Sequence, residues 1–294
     1  MGARRPLGIV LRDLLPPAGA ALRGGRPPQP GEERLNHQRE PLPTRVEELP
    51  DVPAAYVAAL DPVIEALAAI EVAVERWARA AIDDHVRLLL AWNPAINLTA
   101  ITDPAAIARL HVADSLGAVP VIRSGPHATL LDLGSGGGFP GIPIAAVLTS
   151  ARVTLVDSIR KKAAFLEAAA TATGLADRVT VASVRAETLG PGLWDVVLAR
   201  AVGALADLVE VALPLLAPGG RLVAWKRGEL SAELSAAGRA GRAIGGSAPT
   251  WHPYPDGLVR TSGLAGHGVV VVHKIGASPP GYPRDRAARL RQPW

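Results

Sequence analysis

Glycines follow an acidic residue in the middle of the chain, at a spacing that suits a nucleotide-like ligand. Leu130–Pro143 reads L-L-D-L-G-S-G-G-G-F-P-G-I-P, a strand-like start followed by glycines and a helix-like run. Glycine lets the backbone turn tightly and approach a ligand closely because it has no Cβ. A dinucleotide site typically reads G-x-G-x-x-G, whereas this run reads D-x-G-x-G-x-G. That form favours a methyl donor with an amino-acid end, S-adenosylmethionine, bound at Gly134 and Gly136.

Two later positions could touch the same ligand. Asp157 ends the next predicted strand, about 20 residues further on, where a carboxylate can accept hydrogen bonds from both ribose hydroxyls. Ala186 and Glu187 follow the third predicted strand, where an adenine ring would lie across the crevice outside the strand ends. Asp157 could instead only cap the helix that follows it, and Glu187 could be an ordinary solvated acid.

The residues after the fourth predicted strand limit the methyl acceptor. Methyl transfer from a sulfonium is an in-line displacement, so the enzyme mainly aligns donor and acceptor. The chain has no cysteine, which excludes methylation of a pyrimidine C5 through a cysteine nucleophile. Ala199-Arg200-Ala201 stands where exocyclic amine methyltransferases often have Asp/Asn-Pro-Pro-aromatic. A ring nitrogen with a lone pair, such as purine N7, is therefore favoured by elimination, and no catalytic residue is required for proton transfer.

Two cations are predicted at the same edge of the sheet. Arg200 could hold a base edge, a phosphate or the donor carboxylate, because a guanidinium binds planar acceptors in a bidentate manner. It could also form only a surface ion pair with Asp207 or Glu210. Lys226, after the fifth predicted strand, is the second cation, and both could contact a phosphate backbone.

The net charge of +4 says little about partners, because the excess lies at the two ends of the chain. Of 31 Lys and Arg and 27 Asp and Glu, residues 1–50 hold 8 and 6 and residues 277–294 hold 4 and 1. That leaves 19 basic and 20 acidic side chains between them. Any RNA affinity must therefore come from local placement. The absence of cysteine also excludes disulfides and thiolate metal sites, so we expect no metal, and it fits a cytoplasmic location.

Four regions follow from the patterning. Residues 1–50 are rich in Arg, Pro and Gly without a period and predict a disordered extension, with a targeting peptide as the alternative. Residues 51–125 have helical spacing and predict a helical cap. Residues 126–276 alternate strand-like and helix-like runs, which predicts a Rossmann-like α/β domain with a mostly parallel sheet and helices on both faces. Residues 277–294 form a basic tail. No run reaches the roughly 18 apolar residues of a membrane span.

The elements of the α/β domain are placed as follows. The predicted strands are Thr129 to Leu133, Val153 to Asp157, Val179 to Ala182, Asp195 to Ala199, Arg221 to Trp225 and Val269 to Lys274. The predicted helices between them are Gly141 to Leu148, Lys161 to Thr173 and Ala206 to Leu216, and residues 229–250 predict a further helix and loop.

Six segments between Ile70 and Lys274 together match the pattern of one known family. They are W-N-P-A-I-N-L-T-A-I (92–101), H-V-A-D-S-L (111–116), L-D-L-G-S-G-G-G-F-P-G-I-P (131–143), L-V-D-S-I-R-K-K-A-A-F-L (155–166), A-R-A (199–201) and A-W-K-R-G (224–228). They resemble the small-subunit ribosomal RNA (guanine-N7) methyltransferase G family, also called glucose-inhibited division protein B. The N-L-T segment and the G-F-P-G-I-P extension are the parts most specific to that family.

The resemblance implies a fold, an activity and a set of site residues. The fold is a class I S-adenosylmethionine-dependent methyltransferase sheet with an N-terminal helical cap. The activity is N7 methylation of one guanine in 16S rRNA, with the small ribosomal subunit or its assembly precursor as partner; separately, we expect a monomer. By position, the family's donor-binding residues correspond to Gly134, Phe139, Ala186, Glu187 and Arg200. Positions that matter for donor or RNA correspond to Asn97, Lys161, Arg185 and Lys226.

The chain departs from the family pattern in three places, all outside the glycine-rich segment Leu130–Pro143. Arg109 stands one residue further from His111 than usual, Gly266-His267-Gly268 replaces a charged lead-in to the last strand, and residues 1–50 have no counterpart. Two other functions therefore stay open. One is a small-molecule methyltransferase, which predicts an enclosed apolar pocket above Gly136. The other is a non-catalytic nucleotide-binding or ribosome-assembly module, which predicts no donor binding.

Overall fold

The computed structural model describes residues 41–294. Most of the predicted disordered extension lies outside these residues. The end of that extension is packed, however. Arg87 donates hydrogen bonds to the carbonyls of Val46 and Leu49, and Trp92 Nε1 donates to that of Pro43 at 2.6 Å. The packed part of the chain therefore begins before residue 51, earlier than the sequence predicts.

Helices form the N-terminal cap. Its elements are a short 3-10 turn (Val46–Glu48), α1 (Ala54–Ala68), α2 (Arg76–Ile96), α3 (Pro104–Ile107), a π-helical turn (Ala108–Ala113), α4 (Asp114–Gly117) and α5 (Val119–Arg123). Asp103 starts α3 because its side chain accepts a hydrogen bond from the backbone N–H of Ala106 at 2.7 Å. The stretch Pro104–Arg123 has the length and composition of a membrane helix, but 67% of its most apolar window is buried within the fold. Core helices have the same composition.

A seven-stranded sheet follows the cap. Its strands are β1 (Thr129–Leu133), β2 (Arg152–Val156), β3 (Val179–Ala182), β4 (Trp194–Arg200), β5 (Leu216–Arg227), β6 (Thr250–Pro253) and β7 (His267–His273). Neighbours in the sheet run β3-β2-β1-β4-β5-β7-β6, with β7 antiparallel to both β5 and β6 and the others parallel. Chain order reverses between β1 and β4. Such a switch point opens a crevice at the carboxyl ends of the two strands, where ligands bind.

Helices cover both faces of the sheet. They are α6 (Gly141–Val147), α7 (Arg160–Ala172), α8 (Leu205–Leu215), α9 (Ser231–Ile244), α10 (Asp256–Ser262) and α11 (Arg286–Arg291). Alternate strand residues point to opposite faces. Leu130 therefore belongs to the core shared with the cap, α6 and α7, whereas Leu131 and Leu133 belong to the core shared with α8 and α9. The predicted α/β class with helices on both faces and a helical cap is confirmed.

The structure extends the predicted elements in the last third of the chain. The first and third strands have the predicted residues, and the other predicted strands shift or lengthen by a few. Three elements were not predicted: β6, α10 and α11. Strand β6 is short and mostly exposed and ends on Pro253, so it has little alternation. Helix α11 lies inside the predicted basic tail.

One buried arginine joins the cap to the sheet. Arg221 in β5 is 1% exposed. Its guanidinium donates to the carbonyls of Pro126 at 3.1 Å, Val121 at 3.5 Å and Ile122. Gly125 leaves room for it, because a Cβ there would lie 2.8 Å from the Arg221 Nη1 atom. The Arg221 guanidinium thus binds the turn between α5 and β1 to β5, and the acceptors are main-chain carbonyls and not an acidic side chain.

We expect Arg221→Met to lower the free energy of unfolding by about 2–4 kcal/mol, because buried carbonyls lose their donor. The matched control is Arg227→Met, which removes the same charge from an exposed position on the same strand and should change that free energy by less than about 0.5 kcal/mol. Urea unfolding followed by circular dichroism measures both. Equal unfolding midpoints for the two variants would contradict a stabilising role for the buried guanidinium.

Candidate functional site

The glycine loop after β1 lies at the switch point and has backbone angles that side chains disfavour. The φ angles are 69° at Gly134, 54° at Gly136 and 83° at Gly138. A Cβ at Gly134 would overlap Val202 in the loop after β4, and one at Gly138 would lie 2.6 Å from Nε2 of His85. The loop is therefore confined on two sides as well as strained for L-residues.

Two side chains hold the loop against β2. Ser135 Oγ accepts from Val156 N–H at 3.0 Å and donates to the carbonyl of Asp132 at 2.9 Å. Asp157 Oδ2 accepts from Gly136 N–H at 3.1 Å, and its Oδ1 accepts from Ile159 N–H at 2.8 Å. Asp157 thus anchors the glycine loop and the turn that precedes α7, whereas the N-cap of α7 is Ile159 and has no side-chain hydrogen bond, so the helix-capping alternative is wrong. Each carboxylate oxygen retains a lone pair for a ligand.

A cleft of about 510 Å³ opens between the glycine loop and the loop after β3. Four of the predicted donor residues line it, namely Gly134, Asp157, Ala186 and Glu187, together with Arg185. The opposite wall comes from α8 and α11. Its lining residues are Asp207, Leu208, Val211, Arg286, Arg289 and Leu290. The contribution from α11 was not predicted, because basic composition was the only pattern that this segment showed.

Glu187 is paired and not simply solvated. Its Oε1 accepts a hydrogen bond from Arg289 at 2.7 Å. Partial burial alone would raise the pKa of Glu187, but the hydrogen bond and charge of Arg289 outweigh it and hold the pKa below its ordinary value. The carboxylate is therefore ionised at neutral pH and fixed at one oxygen, while Oε2 faces no partner within the described residues.

Arg200 lies at the carboxyl end of β4, facing the cap, and does not line the cleft. Its guanidinium donates to Asp114 Oδ2 and to the carbonyl of Leu110, both at 3.2 Å, and to His111 Nδ1 at 2.9 Å. It also lies 5.5 Å from the centroid of the Phe139 ring. The ion-pair alternative named the wrong acids, since the partner is Asp114 in the cap. Phe139 likewise contacts Arg200 and the cap histidines, so these two predicted donor residues form a second cluster.

Hydrogen bonds extend this cluster through the cap. His111 Nε2 lies 2.8 Å from Thr99 Oγ1, within the N-L-T segment. Asp114 Oδ1 lies 3.1 Å from the Tyr254 hydroxyl and 3.4 Å from His267 Nδ1. Burial, reinforced by the charge of Arg200, lowers the pKa of His111 to about 3. The ring is therefore neutral, so Nδ1 accepts from Arg200 and Nε2–H donates to Thr99.

A second cap histidine touches the glycine loop. His85 in α2 is fully buried, and its Nε2 lies 2.8 Å from the Gly137 carbonyl. Its ring centroid lies 4.4 Å from that of Phe139. Burial lowers the pKa of His85 to about 4, so the neutral ring donates from Nε2. Helical spacing alone does not distinguish this histidine from an ordinary core residue, which is why the sequence did not indicate it.

Asp132, the acid that precedes the glycines, is held differently from Asp157. It is 1% exposed, and its Oδ2 accepts from Gly141 N–H at 3.0 Å at the start of α6. Burial raises the pKa of Asp132 to about 7, although the hydrogen bonds from Gly141 and Ser135 oppose the shift. Its Oδ1 has no partner. Within residues 41–294, no group of three or more His, Cys, Asp or Glu side chains is placed to hold a metal ion.

The four residues predicted for RNA or donor are dispersed. Asn97 is exposed and ends α2 in the left-handed conformation, with φ 52°. Lys161 is exposed in the first turn of α7, and Arg185 is exposed at the rim of the cleft. Lys226 donates to the Gly203 carbonyl at 3.1 Å and pairs with a glutamate in α9. No hydrogen bond or ion pair joins any two of these four residues.

Comparison with known proteins indicates one family. The chain matches the model of the rRNA small subunit methyltransferase G family over residues 78–245. It is 40% identical over 210 residues to the ribosomal RNA small subunit methyltransferase G of Roseiflexus sp. (strain RS-1), which covers 70% of this chain and 87% of that protein. The protein of the same name from Burkholderia thailandensis is 44% identical over 168 residues, 55% of this chain and 72% of its own. A solved O-methyltransferase from Thermotoga maritima is 16% identical with a TM-score of 0.43, covering 65% and 72% of the two chains.

The pKa of His85 is about 4 in the folded protein, below its ordinary value of 6.5. Between pH 4 and 6.5 the unfolded chain therefore binds a proton at His85 that the folded chain does not bind. The stability that the neutral ring contributes is present above pH 6.5 and is lost as the pH falls toward 4, by up to about 1.4 kcal/mol per pH unit. His85→Gln keeps an N–H for Gly137 but does not titrate. We expect its free energy of unfolding, measured by urea titration at several pH values, to fall less steeply than that of the wild type. Parallel curves would contradict this account of the buried ring.

Proposed function

The chain belongs to the rRNA small subunit methyltransferase G family, and on that premise we propose that it transfers a methyl group from S-adenosylmethionine to N7 of one guanine in 16S rRNA. Its partner in this proposal is the small ribosomal subunit or an assembly precursor. The protein acts as a monomer in the cytoplasm. The observation that carries the proposal is the arrangement of two adjoining clusters, a cleft at Gly134 and a cap-held Arg200, at the ends of neighbouring strands β1 and β4.

The residues of the cleft fit the proposed donor. Its volume of about 510 Å³ lies within the range of ligand sites, roughly 300–1,000 Å³. The glycine loop allows a ligand to approach its backbone closely at Gly136, where a Cβ would meet nothing nearer than the Gly134 carbonyl at 3.7 Å. The carboxylate oxygens of Asp157 are suitable acceptors for the ribose hydroxyls. Glu187 retains one carboxylate oxygen for the adenine amine, beside Ala186.

S-adenosylmethionine, when bound, supplies an electrophilic methyl group on a sulfonium. The chain's own part is to orient the two reactants. Purine N7 has a lone pair and no proton, so no general base is needed. His111 fits this assignment because a pKa lowered to about 3 makes its ring a weak base, and both ring nitrogens are already hydrogen-bonded.

Arg200 is the residue we assign to the acceptor. Three of its N–H groups are used by Asp114, Leu110 and His111. A guanidinium has five, so two remain for an acceptor such as guanine O6. Methylation at N7 leaves a positive charge on the base. Asp114 offsets the charge of Arg200, which reduces the repulsion between the product and the guanidinium.

Contacts to the RNA backbone are assigned to exposed cations around this edge, Arg185 and Lys161, with Asn97 beside the cap. Phosphate contacts of this kind position a nucleic acid without reading its sequence, and they weaken with salt. Lys226 has a different part in the proposal, because its pairing with Glu233 holds the segment around Gly203. The small-molecule alternative shares the donor cleft, so the identity of the methylated acceptor is what separates the two functions.

We expect wild-type protein, incubated with radiolabelled S-adenosylmethionine and unmodified small ribosomal subunits, to label one guanine of 16S rRNA. N7-specific strand cleavage maps the position. Arg200→Ala should reduce the rate of labelling about 100-fold or more, because a preorganised charged contact to the acceptor is lost. The matched control is Arg152→Ala, an exposed arginine at the opposite, amino end of β2, which should retain the wild-type rate.

The other outcomes separate the alternatives. Donor binding by calorimetry without label in RNA would indicate a small-molecule acceptor. Absence of donor binding by folded wild-type protein would indicate a non-catalytic module. Equal rates for the Arg200 and Arg152 variants would remove Arg200 from the acceptor site.

A further inference from the structure

The C-terminal segment, Tyr282–Trp294, is fastened to the sheet domain by one buried acid. Glu210 in α8 is 0% exposed. Arg284 donates to its two carboxylate oxygens from the backbone N–H at 2.7 Å, from Nε at 3.0 and 3.2 Å and from a terminal nitrogen at 2.7 Å. The Trp294 indole donates to the same carboxylate at 2.6 Å, and its ring lies under the Arg284 guanidinium at 4.8 Å. A buried carboxylate with this many donors is a well-compensated charge.

This attachment places α11 along the cleft. Arg289 donates to the Arg284 carbonyl at 2.6 Å and to Glu187 Oε1 at 2.7 Å. It is 8% exposed, whereas Arg286 and Arg291 on the same short helix are exposed. Burying one arginine of three requires a partner, because a desolvated guanidinium is costly without one. The partner it has is a residue of the proposed donor site.

Apolar side chains at the cleft are left uncovered. Leu290 is 70% exposed and Val202 is 37% exposed, and both line the cleft. They come from opposite walls, α11 and the loop after β4. A flat aromatic ring entering the cleft would remove apolar surface on either wall from water. Glu187 Oε2, next to this surface, can accept an N–H of the same ring.

We propose that the C-terminal segment is a wall of the donor site, in which Arg289 positions the Glu187 carboxylate and Leu290 covers the adenine of the donor. This inference rests on the proposed function, because it takes the cleft as the place where S-adenosylmethionine binds. Glu187 lies on the three-residue turn Ala186–Thr188, which has no side-chain cap of its own. The ion pair with Arg289 supplies the rigidity that the turn lacks.

Arginines of the basic tail, residues 277–294, have a role at the donor site in this proposal. The composition of residues 277–294 predicts a basic tail, and its four arginines would serve an RNA-facing tail equally. Two of them, Arg284 and Arg289, are instead bound to acids of the sheet domain. Glu210 and Glu187 neutralise the charges of these two arginines. We therefore expect removal of Arg289 to weaken donor binding and removal of Arg291 to leave it unchanged.

Calorimetric titration of full-length protein with S-adenosylhomocysteine tests the proposal without depending on turnover. We expect the Kd to rise about 10–100-fold in Arg289→Ala, to recover in part in Arg289→Lys, and to change less than about twofold in the matched control Arg291→Ala. In methyl-transfer assays the KM for the donor should rise with Arg289→Ala while kcat changes little. A purely structural role would not give that split.

A second variant tests the same wall of the cleft without removing a buried ion pair, in case Arg289→Ala does not fold. Leu290→Ser changes an exposed side chain and should weaken S-adenosylhomocysteine about 3–10-fold. Unchanged Kd values in Arg289→Ala and Leu290→Ser, with wild-type protein still binding and transferring methyl groups, would overturn the inference and leave the proposed function intact. Wild-type protein that fails to bind the donor would instead overturn the proposed function, and this inference with it.

Discussion

The glycine loop must lie within hydrogen-bonding distance of the cap on one side and leave a cleft open on the other, and this constraint organises the rest of the site. His85 reaches the Gly137 carbonyl at 2.8 Å, and a Cβ at Gly138 would lie 2.6 Å from that imidazole. Only bare backbone fits there. Because α2 is held against the loop, the N-L-T segment that follows α2 also packs on it, with Leu98 next to Gly137. The cap thereby has one orientation on the sheet edge.

Because the cap has this orientation, the site has two halves: the Arg200 cluster on the cap side and the cleft at Glu187 on the other side. On the cap side, Asp114 and His111 accept hydrogen bonds from the Arg200 guanidinium, and Thr99 in turn holds the His111 ring. On the other side, Arg289 holds Glu187 at the cleft. Each half relies on a residue far away in sequence to place a charged side chain at the end of a strand. In the proposed reaction, one half orients the acceptor and the other the donor, which is how a displacement without proton transfer is accelerated.

Sequence patterns predicted the parts of the molecule that local physics determines. Apolar runs bounded by turn residues located the strands of the parallel sheet, and the spacing of the glycines located the loop. Patterns could not predict partners brought together by tertiary packing. Asp114 lies 86 residues from Arg200, and nothing near either position indicates the pair. Arg289 lies in a segment with three other arginines, and the sequence pattern does not indicate which of them tertiary packing buries. His85 likewise has the appearance of any core position on an amphipathic helix.

A crystal structure of the protein with S-adenosylhomocysteine would show whether the cleft and the Arg200 cluster form one site. We expect the ligand to occupy the cleft, with its amino-acid end at the glycine loop, its ribose hydroxyls on Asp157 and its adenine between Glu187 and Leu290. We also expect Arg200 to stay bound to Asp114 beside the sulfur. Ligand density outside this cleft, or in the cleft with no contact to Asp157 or Glu187, would show that the two clusters are not arranged for methyl transfer in this way.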